Sequence, residues 1–203
     1  EAASYLFINR VTESLQLFFK AKELAEKAGN ESLKARINNN IGSVYETLED
    51  WDNAILYNEQ ALEYRIKTND PKGMSSSYGN LGNVYYYQSQ YKKANEYFHR
   101  SLKFAKEIND TAKINSIESK MGSSFQEMGE LDSAIYYLNR SYKFYSSQKE
   151  IKYFSWCLNS AVLANTWLKK DNLERAGQYI DDCRNCIQNI DNYEFKRSVY
   201  GLL

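Results

Sequence analysis

Forty residues separate Ile41-Gly42 from Leu81-Gly82, and forty more separate that pair from Met121-Gly122. The same step carries an aromatic residue (Tyr45, Tyr85, Phe125), a bulky one (Trp51, Tyr91, Leu131) and an alanine (Ala54, Ala94, Ala134). Ala61-Leu62, Ser101-Leu102 and Ser141-Tyr142 keep the register, as do the turn formers Gly29-Asn30, Asn69-Asp70 and Asn109-Asp110. A period of this length marks a stacked repeat, in which one unit cannot bury its apolar face until a neighbour covers it. Two weaker copies flank the three clear ones. Leu163-Ala164, Trp167 and Ala176 belong to a divergent unit, two residues longer. Ala2, Tyr5, Ser14, Phe18 and Ala21 match the later part of a unit whose start is missing.

Each unit reads as two helices. Ile37, Ile41, Val44 and Tyr45 follow the three-and-four step of one helical face, and Trp51, Ala54, Ile55, Ala61 and Leu62 do the same after the short break Leu48-Glu49-Asp50. The unit is therefore an antiparallel hairpin of helices about 17 residues and 25 Å long. Gly42, Gly82, Gly122 and the matching alanines fall where helices must approach closely, while Tyr85 and Phe98 are expected to fill the wider gaps between hairpins. The organisation predicted is one array. It has a partial repeat over 1–30, full repeats over 31–70, 71–110 and 111–150, a divergent repeat over 151–192, and the first helix of a truncated repeat over 193–203. The chain opens on Glu1 rather than Met and both ends fall inside repeats, as in a piece of a longer protein.

Composition narrows the function. Twenty-six basic residues balance 26 acidic ones, which argues against a nucleic-acid-binding segment. One proline and nine glycines in 203 residues suit long amphipathic helices. The apolar stretch 160–168 is about half of what a membrane span needs, so no insertion is expected. His99 is the only histidine, each glycine belongs to a repeat or a turn, and the acidic pairs Glu49-Asp50 and Asp181-Asp182 sit at helix ends or solvent faces. Enzymatic chemistry, a cofactor and a metal are accordingly not expected. Cys157, Cys183 and Cys186 are odd in number, which counts against a disulfide framework and favours a reducing compartment, the cytoplasm over the periplasm. Cys183 occupies the position of Ala61, Ser101 and Ser141, so packing is a better reading of Cys183-x-x-Cys186 than redox chemistry.

The motif Leu-Gly-x-x-Tyr, followed by Ala, Phe and Ala-Leu, resembles the tetratricopeptide repeat in its longer-helix, forty-residue variety. That variety occurs in polarity adaptors, bacterial peptide-sensing regulators and other bacterial signalling proteins. The resemblance implies an all-α solenoid, a right-handed superhelix of helical hairpins whose first helices line a concave groove. It places Asn39, Asn40 and Ser43, then Asn80, Asn83, Tyr86 and Tyr87, then Lys120 and Ser123, and finally Leu158, Val162 and Asn165 on the groove side. An Asn amide offers donor and acceptor together and can hold a peptide backbone without reading its sequence. Lys120 could pair with a ligand carboxylate, and the fourth unit could take apolar anchors. The basic set of the chaperone-tail clamp is not matched.

The function expected is a non-enzymatic module that binds a protein or peptide, the ligand-reading or scaffolding segment of a larger signalling or regulatory protein. The alternative is a sensor or dimerisation segment that forms homo-oligomers or passes a signal to an attached kinase or DNA-binding domain.

Overall fold

A computed structural model describes residues 2–147, 153–188 and 201. The described residues form α-helices joined by tight turns and contain no strand: α1 (Ala2–Lys27), α2 (Glu31–Thr47), α3 (Trp51–Lys67), α4 (Pro71–Tyr87), α5 (Tyr91–Glu107), α6 (Thr111–Glu127), α7 (Leu131–Ser147), α8 (Tyr153–Lys169) and α9 (Leu173–Gln188). From α2 to α8 every helix has 17 residues. The chain is an all-α solenoid of helical hairpins. It divides into two compact units, Glu1–Asp110 and Thr111–Leu203. In the first, α1 packs on α2, the hairpins α2/α3 and α4/α5 stack through α3 and α4, and α2 touches α4. In the second, α6/α7 and α8/α9 stack in the same way through α7 and α8, with α6 against α8.

The turns explain the even helix lengths. Gly29, Glu49, Asn69, Ser89, Asn109 and Gly129 all have positive φ, between 51° and 76°, and they recur every twenty residues. Each is the left-handed residue that ends a helix. The next amide donates back five residues, as in Asp50 N to the Tyr45 carbonyl at 2.9 Å and Gln90 N to Tyr85 at 2.8 Å. That same next residue starts the following helix. Asn30, Asp50 and Asp70 accept from the amides of Leu33, Asn53 and Gly73 at 3.0, 3.2 and 2.9 Å.

At the upstream end α1 runs unbroken for 26 residues, through the positions forty residues before the turn at Leu48-Glu49-Asp50. In the sequence an arginine stands at position 10, forty residues before Asp50, and arginine is not a helix-capping residue type. The helix expected over 193–203 lies outside the described residues, apart from Gly201 in a turn.

The repeat glycines lie inside hairpins. A Cβ on Gly82 would stand 2.5 Å from the Phe98 ring, and one on Gly42 would stand 2.5 Å from the Asn58 amide. Gly122 faces Leu138 in the same manner. This corrects the expectation for the two large residues. Phe98 fills the space left by its own hairpin's glycine, and Tyr85 stacks on Tyr97 of that hairpin at 5.1 Å.

The cysteine expectation is corrected too. Cys157 on α8 and Cys186 on α9 form a disulfide with Cα atoms 5.8 Å apart. Cys157 and Cys183 occupy the close-approach pair that is Ala35/Ala61 and Ser75/Ser101 in earlier hairpins, so the two helix backbones are already near each other there. Cys186 is one turn along α9. Cys183 remains a buried thiol, 3.9 Å from the Cys157 carbonyl, as Ser101 Oγ lies 2.6 Å from the Ser75 carbonyl. Burial, aided by Asp182, pushes that thiol up to about 11, which keeps it protonated.

Candidate functional site

The groove-side residues of the first unit sit on α2 and α4. Asn40 and Ser43 are exposed on α2, while Asn80, Asn83 and Tyr86 on α4 are half-buried and Tyr87 is exposed. Helix spacing puts each set on one face, three or four residues apart. Tyr87 lies nearly parallel to Trp51, with ring centroids 6.3 Å apart, and Tyr86 meets Tyr87 and Tyr91 edge-on at 5.7 and 5.5 Å. Burial raises the Tyr87 phenol above its ordinary pKa, and the Glu46 carboxylate adds to this.

Asn39 does not belong with them. It is 7% exposed, and its amide donates to Asn58 Oδ1 at 2.6 Å while its own oxygen accepts from the Arg65 guanidinium. Arg65 also donates to the Gly73 carbonyl at 2.9 Å and to Ser77 Oγ at 2.6 Å. Asn80 joins from the next hairpin by donating to Asn58 at 3.2 Å. The result is a buried polar network that ties α2 and α3 to α4. Burial lowers the Arg65 pKa, opposed by the nearby Asp70 carboxylate. Asn39 is therefore an internal fastener, because its hydrogen bonds are directed inward. Asn80 divides its role between this network and the surface.

Repeat alignment carried a signal for this network. Asn58 stands where Phe98 and Leu138 stand, Ser77 where Ile37 and Ile117 stand, and Arg65 where Ala105 and Tyr145 stand. A polar residue at a core position of one repeat needs polar company from its neighbours.

In the second unit, Lys120 and Ser123 are half-buried on α6 and Asn165 is half-buried on α8. Val162 is only 6% exposed and packs with Leu163, Ala134 and Leu138, while half-buried Leu158 rests against the same cluster. Val162 therefore offers no surface anchor, because α7 already covers it. Gln126 Nε2 donates to Asn165 Oδ1 and Thr166 Oγ1, both at 2.9 Å, and links α6 to α8 much as Asn80 is linked to α3. Among the described residues no group of three His, Cys, Asp or Glu side chains is gathered to hold a metal ion. His99 is exposed on α5, with Nδ1 donating to the Asn95 carbonyl of its own helix at 2.8 Å. No described helix is long and apolar enough to cross a membrane.

Among solved structures the chain is similar to BtubC from P. vanneervenii, at 14% identity and a TM-score of 0.74 over 95% of this chain and 87% of that one. It is also similar to the Rap conjugation gene regulator of the plasmid pLS20, solved in complex with the Phr* peptide. There the identity is 16%, the TM-score 0.75, and the match covers 97% of this chain and 54% of the regulator. A third is a STAND signal-transduction ATPase with a tetratricopeptide repeat sensor from Pyrococcus horikoshii, at 17% identity and TM-score 0.77 over 95% of this chain and 29% of that one. At these identities the likeness is one of fold. Among curated protein sequences none matches the chain. The Tetratricopeptide repeat profile matches residues 33–107 and 73–147, which together span the three repeats read from the forty-residue period. Matched over more than half its length, with the hairpins, shared turns and packed glycines that the repeat requires, the chain belongs to the tetratricopeptide repeat family.

Proposed function

We propose that this chain is a non-enzymatic module that binds a peptide or protein segment along its first helices, as the ligand-reading or scaffolding part of a larger signalling or regulatory protein. The observation that carries the reading is the polar row on α2 and α4. Asn40 and Ser43 are exposed, and Asn83 lies on the adjoining first helix beside the Tyr86 and Tyr87 rings. Asn within a helix costs stability relative to Ala, so two of them on one accessible face suit a ligand contact. The neighbours lend support, since one regulator of this fold was solved with a peptide and another protein carries such an array as its sensor. A formal charge of zero gives no footprint for nucleic acid. Lys120, Ser123, Leu158 and Asn165 are the corresponding ligand-facing residues of the second unit.

The test uses Asn40→Ala together with Asn83→Ala, neither of them a member of the Asn39–Asn58–Arg65 network. A partner captured from the native source, reduced to its binding segment, is titrated against wild type and variant by calorimetry. Each backbone contact is worth about 1–3 kcal/mol, so the double variant should bind about tenfold more weakly or worse, with unchanged helicity. Equal affinity would remove the groove from consideration.

A further inference from the structure

Residues 46–52 read Glu-Thr-Leu-Glu-Asp-Trp-Asp: four carboxylates and no base, in a chain whose charges balance overall. Asp50 is occupied as the cap of α3, accepting from both the amide and the side chain of Asn53, at 3.2 and 2.8 Å. Glu46 and Glu49 border a cleft of about 230 Å³ together with Thr47, Trp51 and Tyr87. That volume is below the roughly 300–1,000 Å³ of small-molecule sites but suits one side chain. The Trp51 and Tyr87 rings, stacked with centroids 6.3 Å apart and inclined at only 18°, both line it. Tyr87 keeps 60% of its surface open.

The pairing is particular to this junction. At the equivalent pairs of repeat positions stand Tyr91 with Glu127 and Leu131 with Lys169, neither of which is a pair of aromatic residues. Ring faces and carboxylates attract the same ligand. The aromatic quadrupole is negative above the ring, and a cation near it gains further from a carboxylate at the edge. A guanidinium fits both better than an ammonium, because it is flat enough to lie on a ring while its N–H fork reaches a carboxylate.

We propose that this cleft is a subsite for one arginine side chain of the bound segment, stacked on Tyr87 and Trp51 and paired by Glu46 and Glu49. The inference rests on the peptide-binding reading above and adds to it the chemistry of one ligand residue.

The probes are three capped tripeptides, acetyl-Ala-Arg-Ala-amide and its Lys and Glu counterparts. They are titrated into the ¹⁵N-labelled chain while the Trp51 indole N–H resonance, assigned with Trp51→Phe, is followed. The arginine peptide should shift that resonance saturably in the millimolar range, as a single exposed subsite allows. The lysine peptide should bind about threefold more weakly and the glutamate peptide should give no shift. Glu46→Gln with Glu49→Gln should weaken the arginine peptide by about threefold to tenfold, and Tyr87→Ala should abolish its shift. Absence of a saturable shift, an equal response to the glutamate peptide, or indifference to the Glu→Gln pair would overturn the proposal. The Asn40→Ala/Asn83→Ala variant separates the two readings, because it should keep its response to the arginine peptide whatever the groove titration returns.

Discussion

Gly82 and Phe98 show how one atom sets a repeat. Phe98 is 1% exposed and occupies the space that a Cβ on Gly82 would need. Gly82→Ala should destabilise the chain by about 1–3 kcal/mol through overpacking. Adding Phe98→Leu should recover part of that loss, because a smaller, more flexible side chain can give way. Thermal unfolding of the two single variants and the double variant measures the coupling, and strict additivity would show that the two residues do not meet. The glycine was legible from its forty-residue recurrence, but its partner was not. Asn58, Phe98 and Leu138 share the position opposite the glycine and share no chemistry. The positions of Tyr78 and Arg100 behave alike, with the guanidinium over the ring at 5.8 Å, whereas the next repeat places Glu118 and Arg140 there as an ion pair at 2.9 Å. Spacing revealed where helices approach, while each repeat fills the approach in its own way. For that reason Asn39 read as a surface amide although Arg65 and Asn58 hold it inside.

At the level of the element, the turns do more than the helices to define the unit. The left-handed position costs a residue with a Cβ about 1–2 kcal/mol, yet Glu49, Asn69, Ser89, Asn109 and Asp171 all adopt it. Gly129 also adopts it, and a Cβ there would meet nothing within 4 Å. Gly129→Ala therefore isolates backbone conformation from packing and should destabilise by about 1 kcal/mol. Ser89→Gly should act in the opposite sense by somewhat less than 1 kcal/mol, because glycine loses more entropy on folding. Chemical denaturation with unchanged m-values would check both, and a stabilising Gly129→Ala would contradict the turn assignment. Helix boundaries were legible because these turns carry Gly, Asn and Asp at fixed intervals.

For the whole molecule, stability is set locally, because each hairpin leans on its immediate neighbours. The Cys157–Cys186 bond closes a span of 29 residues in the second unit, and a crosslink of that size contributes about 3–4 kcal/mol on the loop-entropy account. Reduction should therefore lower hydrogen-exchange protection in α8 and α9 while leaving α2 to α5 unchanged. Uniform loss of protection across the chain would show that the array unfolds as one body. The bond escaped the sequence reading because three cysteines make an odd number, and nothing in their spacing says which two are brought together.

The shared turns carry a last consequence. The residue whose amide closes one helix also caps the next, as Asp50 does between α2 and α3, so the described turns leave no slack between these links. A residue slipped into a helix ahead of its glycine would rotate the rest of that helix by about 100° and carry the glycine away from the side chain seated over it. Inside its helices such a chain keeps its packing only when whole links are added or removed, as in a bicycle chain. Within one link, novelty is confined to exchanging side chains in place, as the acidic, aromatic junction around Trp51 has done.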